Sequence, residues 1–460
     1  MKNEINVRLL ALETLLDSDK NKIYTKDALN KTLFQNQFLS KTERSFLSRL
    51  VEGTTEYRIL LDYVINQFSK TPVNKCKPVI RMILRMGVYQ ILFMDRVPKE
   101  AVCNESVKLA KKKGFVNLSG FVNGVLRNIV RNLDHISYPD EKQDRILAFS
   151  IRYSMPQWIV KKLVEWYGAE LTKKILQKSL EASDLSVRVN LKETSKQDFI
   201  RQLEEKDIQV SDGYYVEEAL HLKHINYVLR VPGYRQGLFF VQDESSMLLY
   251  HVIENYLADM LQNRQENKLD ILDICAAPGG KTTHFAQMLG DRANIEARDL
   301  TEKKADKIRE NIERLHLSNV SVGVKDATQP DADWINCADV VIADVPCSGL
   351  GILGKKNDIK YHLEEKQLLE LVTLQRTILK QAMQYVKPNG ILLFSTCTLN
   401  PEENEENAKW ISKQGMFQPL SIRQQVPQAL KHCLTDENMM QLIQGREECD
   451  GFFIAAFQRI

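Results

Sequence analysis

The sequence predicts an α/β protein in which a doubly wound, mostly parallel sheet is preceded by an all-α bundle and a small α+β module. Three observations support this fold class. Helical periodicity runs to about residue 140, strands and helices alternate after about residue 237, and two of the later strands each lead into a cysteine. Because 460 residues exceed the size at which one core stops growing, we predict three domains, at residues 1–140, 141–236 and 237–460.

With 43% hydrophobic and 27% charged residues, the chain has the composition of an ordinary globular protein. Its first residues, Met1-Lys2-Asn3-Glu4, lack the features of a secretory signal, and no apolar run approaches the roughly 18 residues of a membrane span. The eight cysteines form no CxxC pair and no zinc-like cluster, which fits a reducing compartment. We therefore expect a cytoplasmic protein without a metal site and without a membrane partner.

Positive charge is concentrated at the amino-terminal end. Residues 1–140 contain 23 Lys and Arg against 14 Asp and Glu, whereas the whole chain has a net charge of +3. Such a module is typical of a protein that attracts a polyanion, although solvated surface lysines explain the excess equally well. Six basic residues gather on and between the last two predicted helices of this region. Either of two interpretations explains them, a phosphate-binding face or a solvated surface. The six residues are Lys108, Lys111, Lys112, Lys113, Arg127 and Arg131.

The first 140 residues contain clear helix start and stop signals. Ser40 and Glu43 form a capping box that opens one long predicted helix, which continues to Val64. Pro78 opens the next helix, and that helix ends before Pro98. Two more helices are predicted around residues 102–112 and 121–133. The region is therefore predicted to be a compact helical bundle.

The second region is predicted to be a linker followed by a small α+β module. Residues 135–155 have the composition of a linker, and Pro156 opens a short helix. A strand at 185–190, a helix at 195–206 and an extended segment at 208–216 follow. Modules of this kind serve as RNA-binding platforms, but this one carries no aromatic stacking signature.

The third region alternates between strands and helices, which is typical of a doubly wound sheet. Strands are predicted at residues 239–241, 269–274, 294–298, 320–324, 338–343, 391–394 and 451–458. A helix running from about residue 242 to 261 follows the first of these strands, and helix-length segments separate most of the others. In such a sheet, ligands bind at the carboxyl ends of the strands.

The loop after the strand at 269–274 is a candidate cofactor site. It reads Cys275-Ala276-Ala277-Pro278-Gly279-Gly280-Lys281 and matches neither the GxGxxG dinucleotide pattern nor a P-loop. Its glycines allow close approach of a ligand, and the following helix offers free N–H groups to an anionic group. Four strand ends carry carboxylates, and we expect them to open on one crevice. They are Asp273, Asp299, Asp326 and Asp344.

An adenosine with an amino-acid tail matches this arrangement. Asp299 follows Cys275 by 24 residues, close to the spacing at which a carboxylate meets ribose hydroxyls. We assign Asp299 to the ribose, Asp326 to the base, and the glycines with the helix terminus to the tail. S-adenosyl-L-methionine is therefore the predicted cofactor, and NAD, which lacks its fingerprint here, is the competitor.

Two cysteines are predicted to share this cleft. Cys347 lies in Asp344-Val345-Pro346-Cys347-Ser348-Gly349, and Cys397 lies in Ser395-Thr396-Cys397-Thr398. C5 of cytosine accepts an electrophilic methyl group only after a nucleophile adds at C6, and a thiolate suits that task. A second thiol could assist release, and Asp344 could hold the exocyclic amine or the N3 edge of the base. The residues alone do not decide which cysteine attacks.

These segments, together with Gln242-Asp243-Glu244-Ser245-Ser246, resemble the signature segments of the NOP/Sun family of RNA cytosine-5 methyltransferases. Residues 121–127 resemble the NusB-like RNA-binding helical domain. The resemblance implies a Rossmann-like methyltransferase domain and a substrate cytosine in 16S ribosomal RNA, at position 967. It also implies that Cys397 is the nucleophile and that Cys347 assists release. The cofactor contacts that it implies are Cys275, Ala276, Ala277, Pro278, Gly279, Gly280, Lys281, Asp299, Asp326 and Asp344.

One segment departs from the family pattern. Gly354-Lys355-Lys356-Asn357 stands where the family often has a pair of arginines and a proline, so bidentate phosphate recognition is lost there. Two rival functions remain open at this point, a non-catalytic RNA-binding or antitermination factor and a DNA cytosine methyltransferase. The latter would need a recognition insertion, and none is evident after Cys397. We expect a monomer.

Overall fold

The computed structural model describes residues 6–181, 183–225, 227–263, 268–356 and 358–460. Its α-helices are α1 (Val7–Asn21), α2 (Thr25–Gln35), α3 (Lys41–Glu56), α4 (Arg58–Phe68), α5 (Pro78–Phe93), α6 (Lys99–Lys112), α7 (Ser119–Arg131), α8 (Arg145–Arg152), α9 (Gln157–Lys178), α10 (Lys196–Glu204), α11 (Glu244–His251), α12 (Glu254–Gln262), α13 (Gly280–Leu289), α14 (Glu302–Arg314), α15 (Ile359–His362), α16 (Gln367–Tyr385) and α17 (Glu405–Lys413). Its strands are β1 (Leu185–Val189), β2 (Val210–Asp212), β3 (Ala219–Leu222), β4 (Phe239–Val241), β5 (Leu269–Asp273), β6 (Ala293–Asp299), β7 (Val320–Val324), β8 (Ala338–Asp344), β9 (Val386–Thr396), β10 (Phe417–Pro419), β11 (Leu434–Asp436), β12 (Met439–Leu442) and β13 (Phe452–Arg459).

The chain forms two compact units. One combines Met1–Glu181 with the later segment Leu353–Leu363, and the other combines Ala182–Ile352 with Glu364–Ile460. Two of the predictions made from the sequence concern residues that lie partly outside the ranges described by the structure. These are the absence of a leader in Met1-Lys2-Asn3-Glu4, and the departure that ends at Asn357.

The amino-terminal unit is the predicted helical bundle, with one correction. The capping box at Ser40 and Glu43 is present, but the long helix that it opens is divided into α3 and α4 at Tyr57. Tyr57 leaves the helical conformation, and its ring stacks on Phe93 with centroids 4.2 Å apart. The break thus coincides with a contact to the distant helix α5.

The predicted linker at 135–155 is wrong over part of its length, because α8 lies within it. Asp144 caps this helix by accepting a hydrogen bond from the backbone of Leu147. The following helix, α9, is far longer than the predicted short helix, and Gly168 interrupts it with a positive φ of 72°. Four consecutive residues of α8, Ala148 to Ile151, are buried, which local composition did not reveal.

The segment Leu353–Leu363 packs into the helical unit although it follows β8 in the chain. Asp358 accepts a 2.5 Å hydrogen bond from the backbone N–H of Thr25, so it caps α2, whose own N-cap residue provides no side-chain bond. The Tyr361 hydroxyl donates to the backbone oxygen of Glu56 at 3.2 Å. Lys360 is buried beside Glu56, and burial raises the pKa of the carboxyl and lowers that of the amine.

A four-stranded antiparallel sheet in the order β2-β3-β1-β4 forms the small module, with α10. Its strand β4 was predicted at the correct residues but was grouped with the doubly wound sheet. The structure pairs it with β1, Arg188 opposite Phe240. The extended segment predicted at 208–216 forms a strand only at β2, and β3 was not predicted. The predicted helix at 242–261 is divided into α11 and α12.

The large sheet has the order β11-β12-β13-β9-β8-β5-β6-β7, with β10 paired to β13. Strands β9, β8, β5, β6 and β7 are mutually parallel, as predicted, and β13 lies antiparallel beside β9. Its two faces are covered by separate clusters of buried apolar side chains. The carboxyl ends of the parallel strands therefore share one edge, which is where a ligand binds in sheets of this type. Among the described residues, no helix is long and apolar enough to cross a membrane.

Candidate active site

The loop between β5 and α13 is held by the end of the neighbouring strand β6. Gly279 adopts a positive φ of 102°, a conformation that side-chain-bearing residues rarely take, so the turn into α13 requires glycine. The backbone N–H of Ala276 donates to the carbonyl of Arg298 at 2.8 Å, and that of Ala277 donates to Asp299 at 3.0 Å. The loop is thereby fixed before any ligand binds.

Asp299 ends β6 and has the properties of a hydroxyl acceptor. Its carboxylate accepts from the N–H of Ala277, from the N–H of Leu300 at 2.7 Å, and from the Lys304 ammonium at 2.9 Å. A carboxylate offers about four acceptor positions, so one remains for a ligand hydroxyl. The residues of this corner therefore fit a ribose at the carboxyl end of β6.

Two of the other three predicted carboxylates, Asp273 and Asp326, differ from Asp299 in their surroundings. Asp273 is fully buried and accepts from the Thr282 hydroxyl at 2.6 Å, so it braces the loop against α13 and does not open on the crevice. Burial raises the pKa of Asp273 to about 7. Asp326 is exposed and accepts from the Thr328 backbone at 2.9 Å and hydroxyl at 2.7 Å. The expectation of four carboxylates opening on one crevice is therefore wrong for Asp273.

Lys281 forms an ion pair with Asp344. Its ammonium lies 2.6 Å from one oxygen of Asp344, and the other oxygen accepts from the Ser395 hydroxyl at 2.8 Å. Burial works against the charged amine, but the carboxylate of Asp344 and the nearby Cys397 raise the pKa of Lys281 above its ordinary value. Lys281 is thus a fixed positive charge beside a strand-end carboxylate and a thiol.

The two candidate cysteines lie in contact. Strands β8 and β9 are parallel neighbours, with Asp344 opposite Ser395, so the chain just beyond them brings Cys347 and Cys397 together. Their sulfur atoms are 3.3 Å apart. The hydrogen bond to Cys397, together with burial, raises the pKa of Cys347 well above its ordinary value. Burial and the contact with Cys397 therefore favour the protonated form of Cys347.

Glu403 lies behind the two cysteines and was not identified from the sequence. It is fully buried, and burial raises its pKa while the surrounding donors act in the opposite direction. The four donors to its carboxylate are the Ser348 hydroxyl at 2.5 Å, the Ser348 backbone N–H at 2.9 Å, the Gln375 amide at 2.8 Å and the Asn400 amide at 3.1 Å. A sequence signal existed, since this carboxylate follows Cys397 by only six residues, but its burial could not be inferred from the sequence.

Backbone contacts also support the cysteine loops. The N–H of Gly351 donates to the carbonyl of Cys397 at 3.0 Å, and the N–H of Gly451 donates to the carbonyl of Gly351 at 2.8 Å. A Cβ atom at position 351 would lie 2.1 Å from the Gly451 oxygen. Glycine is required at this crossing because the two backbones touch.

Arg188 was also missed by the sequence analysis. This fully buried residue of β1 donates to the carbonyl of Gly280 at 3.0 Å and to Thr283 at 3.0 Å and Gln287 at 2.9 Å, and it also bonds Gln242. Burial lowers its pKa to about 9. Arg188 thereby joins the first turn of α13 to the small sheet. Because it bonds both Gln242 and Gly280, it connects Gln242 to the cofactor loop.

Three features together define the class of protein: a parallel sheet with an antiparallel strand beside β9, a glycine turn after β5, and an acidic residue at the end of β6. The chain is a methyltransferase that uses S-adenosyl-L-methionine. It belongs to the 16S rRNA methyltransferase RsmB/F family, whose model matches residues 258–458. The NusB family matches residues 5–131, and an RsmF/B-like ferredoxin-like domain matches residues 155–228. The predicted fold class and the predicted cofactor are thus confirmed.

Two known proteins resemble the chain over nearly its full length, and a third resembles about two thirds of it. A probable ribosomal RNA small subunit methyltransferase B of Bacillus subtilis is 30% identical, covering 99% of each chain. The crystal structure of PH0851 has a TM-score of 0.80 at 22% identity and covers 99% of this chain and 100% of that one. That of NSun6 from Pyrococcus horikoshii with SFG has a TM-score of 0.57 at 21% identity, covering 66% of this chain and 98% of that one. The two structures share the fold.

Proposed function

We propose that the protein methylates C5 of a cytosine in 16S ribosomal RNA, at position 967, through a covalent bond between Cys397 and C6 of the base. One observation carries the proposal above all others. Two thiols lie 3.3 Å apart at the carboxyl edge of the sheet, beside the Lys281 and Asp344 ion pair. A second thiol that touches the nucleophile has a use in this reaction, because the nucleophile must later be expelled.

The choice of ribosomal RNA as substrate is supported by the relatives. The Bacillus subtilis protein and one from Synechocystis, 31% identical over 99% of this chain, are both named probable ribosomal RNA small subunit methyltransferase B. The basic residues predicted to bind phosphate on α6 and α7 are mostly exposed, with Lys113 paired to Glu13. We assign these helices to RNA contact, within the domain predicted at residues 1–140.

In the attack step, the Cys397 thiolate adds to C6 of cytosine. A carbon–sulfur bond forms, the C5–C6 double bond opens, and its electron pair moves towards C5 and the N3 edge of the ring. Asp344 accepts a hydrogen bond from the exocyclic amine of the base and so orients it, while the Lys281 ammonium holds Asp344 in place and offsets the negative charge that develops on the ring. Cys347 keeps its proton at this stage, so the two thiols do not compete for C6.

When bound, S-adenosyl-L-methionine supplies an electrophilic methyl group, which C5 accepts. The predicted contacts at residues 275–281, with Asp299, Asp326 and Asp344, would hold it at the edge formed by β5, β6, β7 and β8. Once Cys397 is bonded to C6 it no longer holds the Cys347 proton in a hydrogen bond, so Cys347 gives that proton to water and its thiolate then removes the proton from C5. The electron pair of that bond restores the C5–C6 double bond, the carbon–sulfur bond breaks, and Cys397 leaves as a thiolate.

The test is transfer of label from S-adenosyl-L-methionine to protein-free small-subunit RNA, followed by nucleoside analysis. We expect 5-methylcytosine at position 967 and none in RNA whose target cytosine is replaced by uridine. Cofactor binding without transfer to any RNA would overturn the proposal. We further propose that the enzyme is a monomer and acts in the cytoplasm, which sedimentation and cell fractionation would check.

A further inference from the structure

We infer that Glu403 is a positioning residue that holds the Cys347 and Cys397 loops at the separation that the reaction requires. The inference rests on the proposed function, since it concerns the same pair of thiols. Glu403 is fully buried and sits on neither cysteine strand: it follows β9 and precedes α17. Its carboxylate reaches back to the loop that carries Cys347.

Glu403 first contacts the loop that carries Cys347. Ser348, the residue after Cys347, gives both its backbone N–H and its hydroxyl to Glu403, one to each carboxylate oxygen, at 2.9 Å and 2.5 Å. Such a two-point contact fixes the direction of the peptide as well as its position. The orientation of the Cys347 side chain follows from that of its neighbour.

A second set of contacts involves the loop that carries Cys397. The Ser348 hydroxyl lies 2.6 Å from the hydroxyl of Thr398, the residue after Cys397. Asn400 bonds Glu403 at 3.1 Å, and its own backbone N–H donates to the Thr398 hydroxyl at 3.3 Å. The residues that follow the two cysteines are thus bonded to each other, with one carboxylate behind both.

A third set of contacts joins the Glu403 carboxylate to the helices α16 and α17. Gln375 of α16 donates to Glu403 at 2.8 Å and to the carbonyl of Pro346 at 2.9 Å. Asn407 of α17 donates to Gln375 at 2.8 Å. The buried Glu403 charge is therefore surrounded by neutral donors with good geometry, an arrangement that orients groups precisely because each donor would be left unpaired if it moved.

The negative charge of Glu403 also affects Cys347, in addition to the hydrogen bonds that position the loop. The hydrogen bond to Cys397 and burial raise the pKa of Cys347 most, and the negative charge of Glu403 raises it further. All three effects keep Cys347 protonated. Asp344 adds to the same effect, and Lys281 faces Asp344 and Cys397 from the other side. The carboxylate thereby favours the arrangement in which Cys397 carries the negative charge.

The closing experiment compares Glu403→Gln with Glu447→Gln. Glu447 is a matched control, because it is also a buried carboxylate that bonds a backbone N–H, that of Ile443 at 2.6 Å, in the same unit but with different partners. The first readout is independent of RNA: the rate at which diamide, an oxidant of thiol pairs, joins Cys347 to Cys397, followed by peptide mapping. We expect a rate about tenfold lower in Glu403→Gln and unchanged in Glu447→Gln.

The second readout uses RNA that contains 5-fluorocytidine, which retains the covalent bond because fluorine cannot leave as a proton. Adduct formation by Glu403→Gln should fall about 100-fold, with the KM for S-adenosyl-L-methionine unchanged. Ser348→Ala, which keeps the carboxylate and one N–H bond, should give a smaller fall and serves if Glu403→Gln does not fold. Equal diamide rates in wild type and both variants would overturn the inference. Absence of adduct in the wild type would instead contradict the proposed function, and the diamide rates would still decide the role of Glu403.

Discussion

The sulfur atoms of Cys347 and Cys397 lie 3.3 Å apart, beyond two parallel strands whose ends, Asp344 and Ser395, are opposite each other. The two side chains are free thiols in contact, with no disulfide between them. Contact between two thiols confers a division of roles, since the proton that one keeps leaves the other free to ionise. Substitution of each cysteine tests this division of roles.

Replacing the cysteines one at a time should give opposite results. Cys397→Ala should abolish both turnover and covalent capture of RNA, because the proposed nucleophile is gone. Cys347→Ala should instead trap a protein–RNA adduct, seen as a retarded band on a denaturing gel, because the bond to C6 forms but C5 keeps its proton. The reverse pattern would give the nucleophile's role to Cys347. Cys337→Ala, which alters an exposed thiol, is the control and should behave as wild type.

Hydrogen peroxide should inactivate the enzyme reversibly. One peroxide oxidises the two thiols to a disulfide and is itself reduced to two waters, and little movement is needed because the sulfur atoms are already in contact. Methyl transfer should fall as the mass decreases by two hydrogens, and dithiothreitol should restore both. Activity lost without a Cys347–Cys397 crosslink in peptide maps would count against this expectation.

Gly351→Ala should destabilise the unit that contains the sheet by about 3 kcal/mol and also lower methyl transfer. The added methyl group would lie 2.1 Å from the Gly451 oxygen and 2.8 Å from the Cys397 oxygen, so the cysteine loop must shift. Gly323→Ala is the control in the same sheet, because its Cβ would meet only ordinary contacts, with Glu296 at 3.5 Å. Calorimetric unfolding and the rate of label transfer would measure the two effects. Similar results for both variants would contradict the close contact between the Gly351 and Gly451 backbones.

Asp273→Asn should change how stability depends on pH. Burial raises the pKa of Asp273 to about 7, whereas an unfolded Asp has a pKa of about 3.9. The folded form thus binds the proton more tightly, so this group's favourable contribution is full below about pH 4 and is lost as the pH rises to about 7. The asparagine variant can still accept from Thr282 and lacks this loss. Its melting temperature, measured without cofactor, should match wild type near pH 4 and exceed it at pH 8; a constant difference across that range would refute the assignment.

Much of the sheet was predictable because its signals are local. Apolar runs at β5, β6, β7 and β8 were bounded by glycine, proline or a carboxylate, and the capping box at Ser40 marked the start of α3. The candidate site was predictable at the ends of these strands for the same reason. Parallel strands bring their carboxyl ends to one edge, so the positions of Cys347 and Cys397 in the sequence were enough to expect them in one cleft.

Other features depended on residues far apart in the chain. The break at Tyr57 coincides with stacking on Phe93, and the cap of α2 comes from Asp358, 333 residues after Thr25. Similarly, β4 joins the small sheet because β1 is there to pair with it. No window of neighbouring residues contains such partners, so periodicity and capping rules could not anticipate them.

The sequence by itself determined the class of fold, the cofactor loop and the two thiols, because strand periodicity, glycine turns and short motifs are properties of neighbouring residues. Only the tertiary structure decided which groups touch. It placed Lys281 against Asp344, removed Asp273 from the crevice, and set Glu403 behind both cysteine loops. The physical reason is burial: a carboxylate becomes a ligand-facing group, a brace or an anchor according to the donors that the fold packs around it, and those donors come from distant strands and helices.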